Sequence, residues 1–317
     1  MYCGKKISLV IPAHNEEKLI VPTLKNVPRL IDRIYVIDDA STDNMFNVVR
    51  DLQKKDKRIK IIKHGKNQGP GVGIIHGYRK SSEENYDITV VVGGDNQMDL
   101  SEVKKFLDPI VNNEADYTKG NRFMHGSAFK GMPAKRFIGN SILSFLTKFA
   151  SGYWKLFDTQ DGYTAISKKM IDKVDWSKAM VGYGYVSDFI ILLNVYNAKI
   201  KDIPRKAIYL PGERQSQIKI VKYMLKVGPR VIKKFFWRLN NKYIFQDFHP
   251  LIFMYYFGLL FFLAGFILAL KIGYDGLTGN VSPNQAILSS LLLISGIQFF
   301  LFAVFFDMEN NKHLCLS

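Results

Sequence analysis

The sequence predicts an α/β domain with a mainly parallel sheet, followed by helices that associate with a membrane. Over roughly the first two thirds of the chain, short runs rich in valine and isoleucine alternate with helix-like segments, as in parallel sheets with helical crossovers. Near the end of the chain, two uncharged runs are each long enough to cross a bilayer core. The 317 residues suffice for one large domain or two small ones, and the net charge of +16 indicates an acidic partner.

The first hundred residues contain four predicted strands and two predicted helices. The strands are Lys6–Ile11, Ile34–Ile37, Ile59–Lys63 and Ile88–Val92, and the helices are Glu16–Lys25 and Phe46–Lys54. In open α/β sheets ligands bind at the carboxyl ends of the strands, so polar residues that follow the strands should meet in one crevice. These residues are His14, Asn15, Glu16, Asp38, Asp39 and Asp95.

The residue types at these strand ends suit a nucleotide and a divalent cation. Asp95 and Gln97 offer hard oxygen ligands for Mg²⁺ or Mn²⁺, which would neutralise charge on a diphosphate leaving group. Asp38 or Asp39 could accept a hydrogen bond from a nucleobase N–H. A dinucleotide site is a weaker alternative. The glycine-rich stretch from Gly69 to Gly77 does not follow the first strand, and it contains a proline.

The two uncharged runs predict a transmembrane hairpin with helices at about 251–272 and 285–306. A pair of buried core helices is the alternative, but two runs of this length joined by a short Gly/Asn/Pro loop favour the hairpin. The loop carries only Lys271 near its start. The positive-inside rule therefore predicts a multi-pass protein of the cell membrane with the first 250 residues in the cytoplasm.

Eight Lys and Arg residues lie between Lys219 and Lys242, mostly three or four positions apart and interleaved with aromatic and aliphatic residues. This pattern predicts basic amphipathic helices on an anionic membrane surface, with a break at Gly228-Pro229. The acidic partner is then lipid, and no nucleic acid is expected. The predicted regions are a cytosolic catalytic domain (1–213), interfacial helices (214–247) and the hairpin with a short cytosolic tail (248–317). Two spans form only a small bundle, so both a monomer and a homo-oligomer are compatible with the sequence.

Four motifs, in this order, resemble the inverting family-two glycosyltransferases, whose nucleotide-sugar domain has the GT-A fold. They are VIPAHNEE, YVIDDASTD, HGKNQGPGVGIIHGY and GGDNQMDL. KGNRF, MPAKRFIGN and DTQDGYTAIS are similar to the subgroup that transfers a sugar from a nucleotide to dolichyl or another polyprenyl phosphate. The segment WRLNNKYIFQDFHPLIFMYYFG resembles the archaeal membrane members of that subgroup.

On the donor side, the resemblance implies roles for the residues that match the family motifs. Pro12, His14 and Glu16 match the loop that holds the nucleotide, and Asp38 with Asp39 match the aspartates that bind the base and ribose.

The resemblance also implies a metal site. Asp95 matches the second aspartate of the Asp-X-Asp signature, and Gln97 matches a glutamine that often assists it. Gly93 stands where the first aspartate is expected, so the diphosphate and water would have to supply the missing oxygen ligands.

On the acceptor side, Arg122 and Arg136 match arginines that bind the acceptor's phosphate, with Asn140 nearby and Arg214 as a third contact. A lipid phosphate has a second pKa of about 6, so it is a nucleophile without a general base. Guanidinium groups suit such a phosphate. Asp188 matches the place of an acidic pair; it would be the base for a hydroxyl acceptor, or would position the sugar, or would be structural.

The predicted function is an inverting transfer of a hexose from a GDP- or UDP-sugar to dolichyl or polyprenyl phosphate at the cytosolic face, supplying glycosylation. One alternative is a membrane glycosyltransferase with a hydroxyl acceptor on a glycolipid or polysaccharide, which requires Asp188 as base. A second is a non-catalytic, membrane-anchored binder of nucleotide sugars, suggested by Gly93.

Overall fold

The computed structural model describes residues 1–124, 134–180, 182, 184–206, 208, 220–277, 279 and 281–316, without the side chains of 134–137, 140 and 220–226. The chain forms two compact units, Met1–Phe235 with His313–Ser317, and Phe236–Lys312. Each unit is described by itself. The domain boundaries expected after residues 213 and 247 remain a prediction. They divide the chain by location relative to a membrane, whereas the two units are defined by compactness.

The first unit is built on one sheet, in the order β3-β2-β1-β4-β6-β5-β7-β8. The strands that the structure describes are β1 Ile7–Ala13, β2 Arg33–Asp38, β3 Ile59–Lys63, β4 Ile88–Val91, β5 Tyr117–Asn121, β6 Thr164–Ser167, β7 Ile200–Pro204 and β8 Cys315–Leu316. Of these, β6 runs antiparallel to its neighbours β4 and β5, and the other pairs are parallel. The mainly parallel α/β fold expected from the sequence is confirmed.

The helices are numbered along the chain. Within the described residues they are α1 Glu17–Lys25, α2 Met45–Lys55, α3 Pro70–Glu83, α4 Val103–Val111, α5 Ala134–Ser151, α6 Lys168–Lys173, α7 Tyr185–Val195, α8 Ile220–Asn240, α9 Leu251–Leu277 and α10 Pro283–Asn311. A π-helical turn, Asn241–Gln246, follows α8.

Strand β1 lies in the middle of the sheet and is covered on both faces, which explains its continuous apolar sequence. Leu9 belongs to the main core, and Val10 faces α3. A Cβ on Gly77 of α3 would lie 2.3 Å from Val10, so a glycine is needed for α3 to pack this closely. The strand continues through Pro12 to Ala13. The strand therefore extends two residues beyond the predicted end at Ile11, because the ladder to β2 continues after the ladder to β4 has stopped at Val10.

In the second unit, α9 and α10 pack closely along small residues. A Cβ on Gly258 would lie 2.9 Å from the backbone of Phe300, and one on Gly296 would lie 2.5 Å from the backbone of Phe262. Ser289 donates a hydrogen bond to the Gly265 carbonyl at 2.9 Å. Small residues and side-chain hydrogen bonds of this kind are typical of helix pairs in membranes. Both helices are long and apolar enough to cross a membrane, and both exceed the predicted spans.

Helix α8 is continuous through Pro229, so the predicted break at Gly228-Pro229 is wrong. The residue before a proline is normally kept out of the helical region by a clash that involves its Cβ, and Gly228 has no Cβ.

The basic side chains of α8 are also not all on a lipid-facing surface. Arg230 and Lys233 are exposed. In the second unit, however, Arg238 is fully buried and makes two hydrogen bonds to Asp307 (3.0 and 2.8 Å), and Lys242 donates to Asn311 at 2.7 Å. The prediction of one uniform basic face fails at Arg238 and Lys242, because their partners lie on α10, far away in the sequence.

Candidate active site

The turns after β1 and β2 are joined by hydrogen bonds at the carboxyl edge of the sheet. His14 Nδ1 lies 2.9 Å from the Asp39 carbonyl oxygen, and Asn15 accepts from the backbone N–H of Thr42 at 2.8 Å. Asn15 has a φ of 57°, which asparagine tolerates better than most residues. The end of β1 with Pro12, the following turn with His14 and Glu16, and the aspartate pair at the end of β2 are thus joined.

The two aspartates after β2 have different surroundings. Both side chains are buried. The Asp39 carboxylate accepts from the backbone N–H groups of Gln68 and Gly69 at 2.7–3.1 Å. Asp38 accepts from the Ser41 N–H through Oδ1 at 2.8 Å, while its Oδ2 has no hydrogen-bond partner within the described part of the chain. A buried carboxylate oxygen that accepts no hydrogen bond lowers the free energy of unfolding. A ligand that donates a hydrogen bond to this oxygen would therefore stabilise it.

Both glycines of the turn after β4 have close neighbours. A Cβ on Gly93 would lie 3.0 Å from Oδ1 of Asp95, so a side chain at 93 would require the Asp95 carboxylate to shift. A Cβ on Gly94 would lie 3.0 Å from Ala13 and 3.7 Å from Glu16. Gly94 therefore lets the turn after β4, which carries Asp95, approach the turn after β1.

The residues around Asp95 fit a divalent cation that shares its ligands with a substrate. Among the described residues, no group of three His, Cys, Asp or Glu side chains could hold a metal by itself. The half-exposed carboxylate of Asp95, whose Oδ1 accepts from the backbone N–H of Gln97 at 3.2 Å, does suit Mg²⁺ or Mn²⁺. Mg²⁺ usually takes one or two protein carboxylates and completes its shell with phosphate oxygens and water.

Arg122, which follows β5, is held by Asp158. Its Nε and Nη2 donate to the two carboxylate oxygens at 2.6 and 2.7 Å, and its backbone N–H donates to Oδ2 at 3.0 Å. Asp158 is fully buried and Arg122 is 8% exposed. A bidentate pair of this kind fixes the plane and position of the guanidinium group.

A second buried pair connects Arg122 to the β4 turn. Arg205, directly after β7, donates to Asp161 at 2.6 Å and to the Gln97 carbonyl at 3.3 Å, and Asp161 is also 3.5 Å from Arg122. Burial alone would raise the pKa of Asp161, but the charges of Arg205 and Arg122 hold that pKa below its ordinary value. Gly120 leaves room for this carboxylate, since a Cβ there would lie 2.9 Å from it.

Asp188, in the first turn of α7, is fully buried. It accepts from the Met180 N–H at 2.5 Å and lies 3.0 Å from the Lys234 ammonium, which α8 supplies. Burial raises the pKa of the Asp188 carboxyl even though the positive Lys234 opposes the shift. Both of its oxygens therefore face groups of the protein itself.

The sequence-predicted residues are only partly brought together by described contacts. The residues on the β1, β2, β4 and β5 ends are linked by the contacts above; they are Pro12, His14, Glu16, Asp38, Asp39, Asp95, Gln97 and Arg122. The backbone of Arg136 and Asn140 lies at the start of α5, and their side chains are not described. Arg214 lies outside the described residues.

Sequence reasoning missed Asp158, Asp161 and Arg205 as members of the site. The two aspartates lie in the DTQDG segment, whose resemblance was noted without a role for either. Arg205 follows a strand directly, and that is the same signal that pointed to His14 and Asp95. Applied to IKDIP, the strand-end rule could have found it.

Comparison with known protein families gives one clear match. Residues 8–175 match the model described as Glycosyl transferase family 2. The chain is 32% identical over 218 residues to the UDP-N-acetylglucosamine–dolichyl-phosphate N-acetylglucosaminyltransferase of Methanococcus voltae, covering 65% of this chain and 86% of that protein. It is 24% identical over 179 residues to the dolichyl-phosphate beta-glucosyltransferase ALG5C of Trichomonas vaginalis, covering 51% and 52%.

Solved structures show the same fold. Glucosyl-3-phosphoglycerate synthase from Mycobacterium tuberculosis, in complex with UDP, aligns with a TM-score of 0.54 at 17% identity, over 74% of this chain and 80% of that one. That enzyme has also been crystallised with Mn²⁺ or Mg²⁺ together with UDP. At this identity the likeness establishes the fold alone.

Asp161→Asn is expected to destabilise the protein strongly, because it leaves the buried charge of Arg205 without its carboxylate partner, whereas Arg122 keeps Asp158. Removing one partner of a buried ion pair costs about 3–5 kcal/mol, which should lower the melting temperature by roughly 10 °C. The measurement is thermal unfolding of the purified protein in detergent. Asp51→Asn is the control, since the exposed Asp51–Lys54 pair should leave the melting temperature unchanged. Equal shifts for the two variants would contradict the assigned role.

Proposed function

We propose that this chain, which belongs to glycosyl transferase family 2, transfers a sugar from a nucleotide sugar to a polyprenyl phosphate at the cytosolic face of the cell membrane. The observation that carries the acceptor assignment is on α5. The helix that bears Arg136 also presents the exposed apolar side chains of Ile138, Ile142 and Phe145 along one face. A cationic residue and a lipid-compatible surface therefore share one helix.

The donor is proposed to bind at the ends of β1, β2 and β4. The buried Oδ2 of Asp38, which has no hydrogen-bond partner among the described residues, would accept an N–H from the nucleobase, and His14 contacts the adjacent Asp39. UDP-N-acetylglucosamine is the first donor to test, because the relative from Methanococcus voltae is named for it. GDP-sugars are the second choice, since an aspartate can accept from guanine as well as from uracil.

Asp95, with Gln97 beside it, would hold Mg²⁺ or Mn²⁺ against the donor's diphosphate. The bound cation supplies positive charge that stabilises the departing nucleoside diphosphate. The contribution of the chain itself is the fixed position of Asp95, which the Gln97 N–H holds at 3.2 Å. Gly93 leaves the carboxylate its space.

The proposed reaction is a single displacement. A phosphate oxygen of the acceptor forms a bond to C1 of the sugar while the bond from C1 to the diphosphate oxygen breaks, and the nucleoside diphosphate leaves with the bonding electrons. Attack from the opposite face inverts the anomeric configuration. Because the phosphate is already ionised at neutral pH, its proton need not be removed. Arg122, preorganised by Asp158, and Arg136 stabilise the charge of the phosphate.

The environment of Asp188 favours a phosphate acceptor over a hydroxyl acceptor. A general base must come within hydrogen-bond reach of the hydroxyl it deprotonates. Asp188 is instead fully buried between the Lys234 ammonium and the Met180 N–H. This supports a role in positioning the loop before α7 and disfavours the glycolipid or polysaccharide alternative.

Membrane attachment is proposed through the α9–α10 hairpin. The two helices are long and apolar enough to cross a bilayer. Side chains along both helices, such as Leu260, Ile267 and Leu301, are more than half exposed, which supports contact with lipid. The exposed Arg230 and Lys233 precede the first span and favour the cytoplasmic side for the N-terminal unit.

Arg136→Ala is expected to lower kcat/KM for dolichyl phosphate by about 10- to 100-fold, the effect of losing a charge-assisted hydrogen bond. Affinity for the nucleotide should stay within about twofold, since Arg136 is assigned to the acceptor alone. The measurements are transfer of labelled sugar from UDP- and GDP-sugars, and calorimetric binding of UDP and GDP, with Mn²⁺. Arg79→Ala, at an exposed position on α3, is the matched control. Loss of nucleotide binding with normal use of the acceptor would reverse the assignment.

Asp188→Asn and Lys234→Met are expected to act as a unit. If Asp188 positions the loop through Lys234, each single variant should reduce kcat by less than about tenfold. The kcat of the double variant should be no lower than that of the slower single variant. A general base would behave differently. Its loss costs about 10²- to 10⁴-fold, and Lys234→Met would not reproduce that loss. A large loss of kcat in Asp188→Asn without a matching loss in Lys234→Met would favour the hydroxyl acceptor.

A further inference from the structure

Asp39 holds the two residues that lead into helix α3. The N-cap residue of α3 is Gly69. The Asp39 carboxylate accepts from the N–H of Gly69 and from that of Gln68 just before it. A carboxylate at a helix N-terminus is favourable because it balances the partial positive charge there.

His64, directly after β3, holds the other side of this carboxylate. Its Nδ1 lies 3.0 Å from Asp39 Oδ1, and both side chains are almost fully buried. A carboxylate only accepts hydrogen bonds, so His64 must carry its proton on Nδ1. In the neutral ring, Nε2 is then an acceptor.

His76, in the second turn of α3, meets that acceptor. Its Nδ1 lies 3.1 Å from His64 Nε2, and the two rings are parallel within 6°. Burial, and then the neighbouring His64, lower the pKa of His76, which favours the neutral form of the His76 ring. With Nε2 of His64 as the acceptor, His76 donates from Nδ1 to His64, and His64 donates from Nδ1 to Asp39.

These contacts form a closed path, here called the Asp39 network: from Asp39 to Gly69, along α3 to His76, and back through His64. It fixes the first two turns of α3 against the ends of β2 and β3. The start of α3 in turn touches the loop before α7. A Cβ on Gly69 would lie 2.9 Å from Gly182. A shift of α3 would therefore displace residues on both sides of the donor crevice.

We propose that His64 and His76 are positioning residues for the nucleoside diphosphate end of the donor. They hold Asp39, and through it the first turn of α3, in the geometry that binds the nucleotide. The inference rests on the proposed function, since it takes the crevice beside Asp38 and Asp39 to be the donor site. Neither histidine touches the reacting atoms.

The tautomer of His64 can be observed directly. The chain has six histidines, few enough for two-bond ¹H–¹⁵N spectra of the full-length protein labelled on histidine, with assignment from His64→Asn. We expect the wild-type His64 ring to carry a proton on Nδ1 at pH 7.5, and His76→Leu to keep that proton there, because Asp39 still accepts from it. A neutral Nε2–H form in the wild-type protein would overturn the proposal.

Two substitutions at His76 separate positioning from packing. His76→Asn keeps an amide N–H donor near the position of Nδ1, and His76→Leu keeps bulk but no donor. His76→Leu should weaken binding of UDP or GDP, measured by calorimetry with Mn²⁺, about fivefold, which corresponds to one hydrogen bond of about 1 kcal/mol. The KM for the donor should rise equally, with kcat and the KM for dolichyl phosphate unchanged, and His76→Asn should restore most of the affinity.

Equal nucleotide affinity in the wild-type and His76→Leu proteins would overturn the proposal. So would equal losses in the Leu and Asn variants, or a loss in kcat alone. If His76→Leu does not fold, the nucleotide affinity of His76→Asn and the tautomer of wild-type His64 still test the proposal. Failure of the proposed function is distinguishable, because the wild-type protein would then still bind UDP or GDP but would not transfer sugar to dolichyl phosphate, whatever the tautomer of His64.

Discussion

The shared direction of the parallel strands is the constraint on which the site depends. Because β1, β2, β4, β5 and β7 all run the same way, the residues after them meet at one edge of the sheet. Polar side chains that are distant in sequence thereby become neighbours. The close approach of the β1 and β4 turns requires glycine at position 94, where any Cβ would press against Ala13. Local chemistry and topology thus specify the same crevice.

Concentrating carboxylates at one buried edge creates an electrostatic problem, and the chain solves it by pairing. Asp158 and Asp161 are compensated by Arg122 and Arg205. Asp39 is instead compensated by N–H donors of the backbone and His64. A buried charge without a partner would destabilise the fold by far more than one ordinary hydrogen bond stabilises it. The same pairing fixes the guanidinium of Arg122 before a substrate arrives, which is what transfer to a phosphate requires.

The strand ends and the hairpin could be predicted from the sequence because each is a local signal. Runs such as IYVI before Asp38, and twenty uncharged residues from Leu251, are recognisable without any knowledge of the fold. The partners of buried charges could not be predicted this way. Arg205 and Asp161 are 44 positions apart, and Arg238 and Asp307 are 69 apart. No period or motif links such pairs, since only the folded chain brings them together. For the same reason the contact between His64 and His76 could not be predicted from the glycine-containing sequence between them.

The central claim is that an ionised lipid phosphate displaces the nucleotide directly from the sugar. The most direct measurement incubates the purified protein with UDP-N-acetylglucosamine, Mn²⁺ and either dolichyl phosphate or dolichol, and determines the linkage and anomeric configuration of the product by ³¹P and ¹H NMR. The account predicts a β-linked sugar phosphodiester from the α-linked donor, and no product with dolichol. Sugar attached to the hydroxyl of dolichol, or an α-linked phosphodiester, would contradict it.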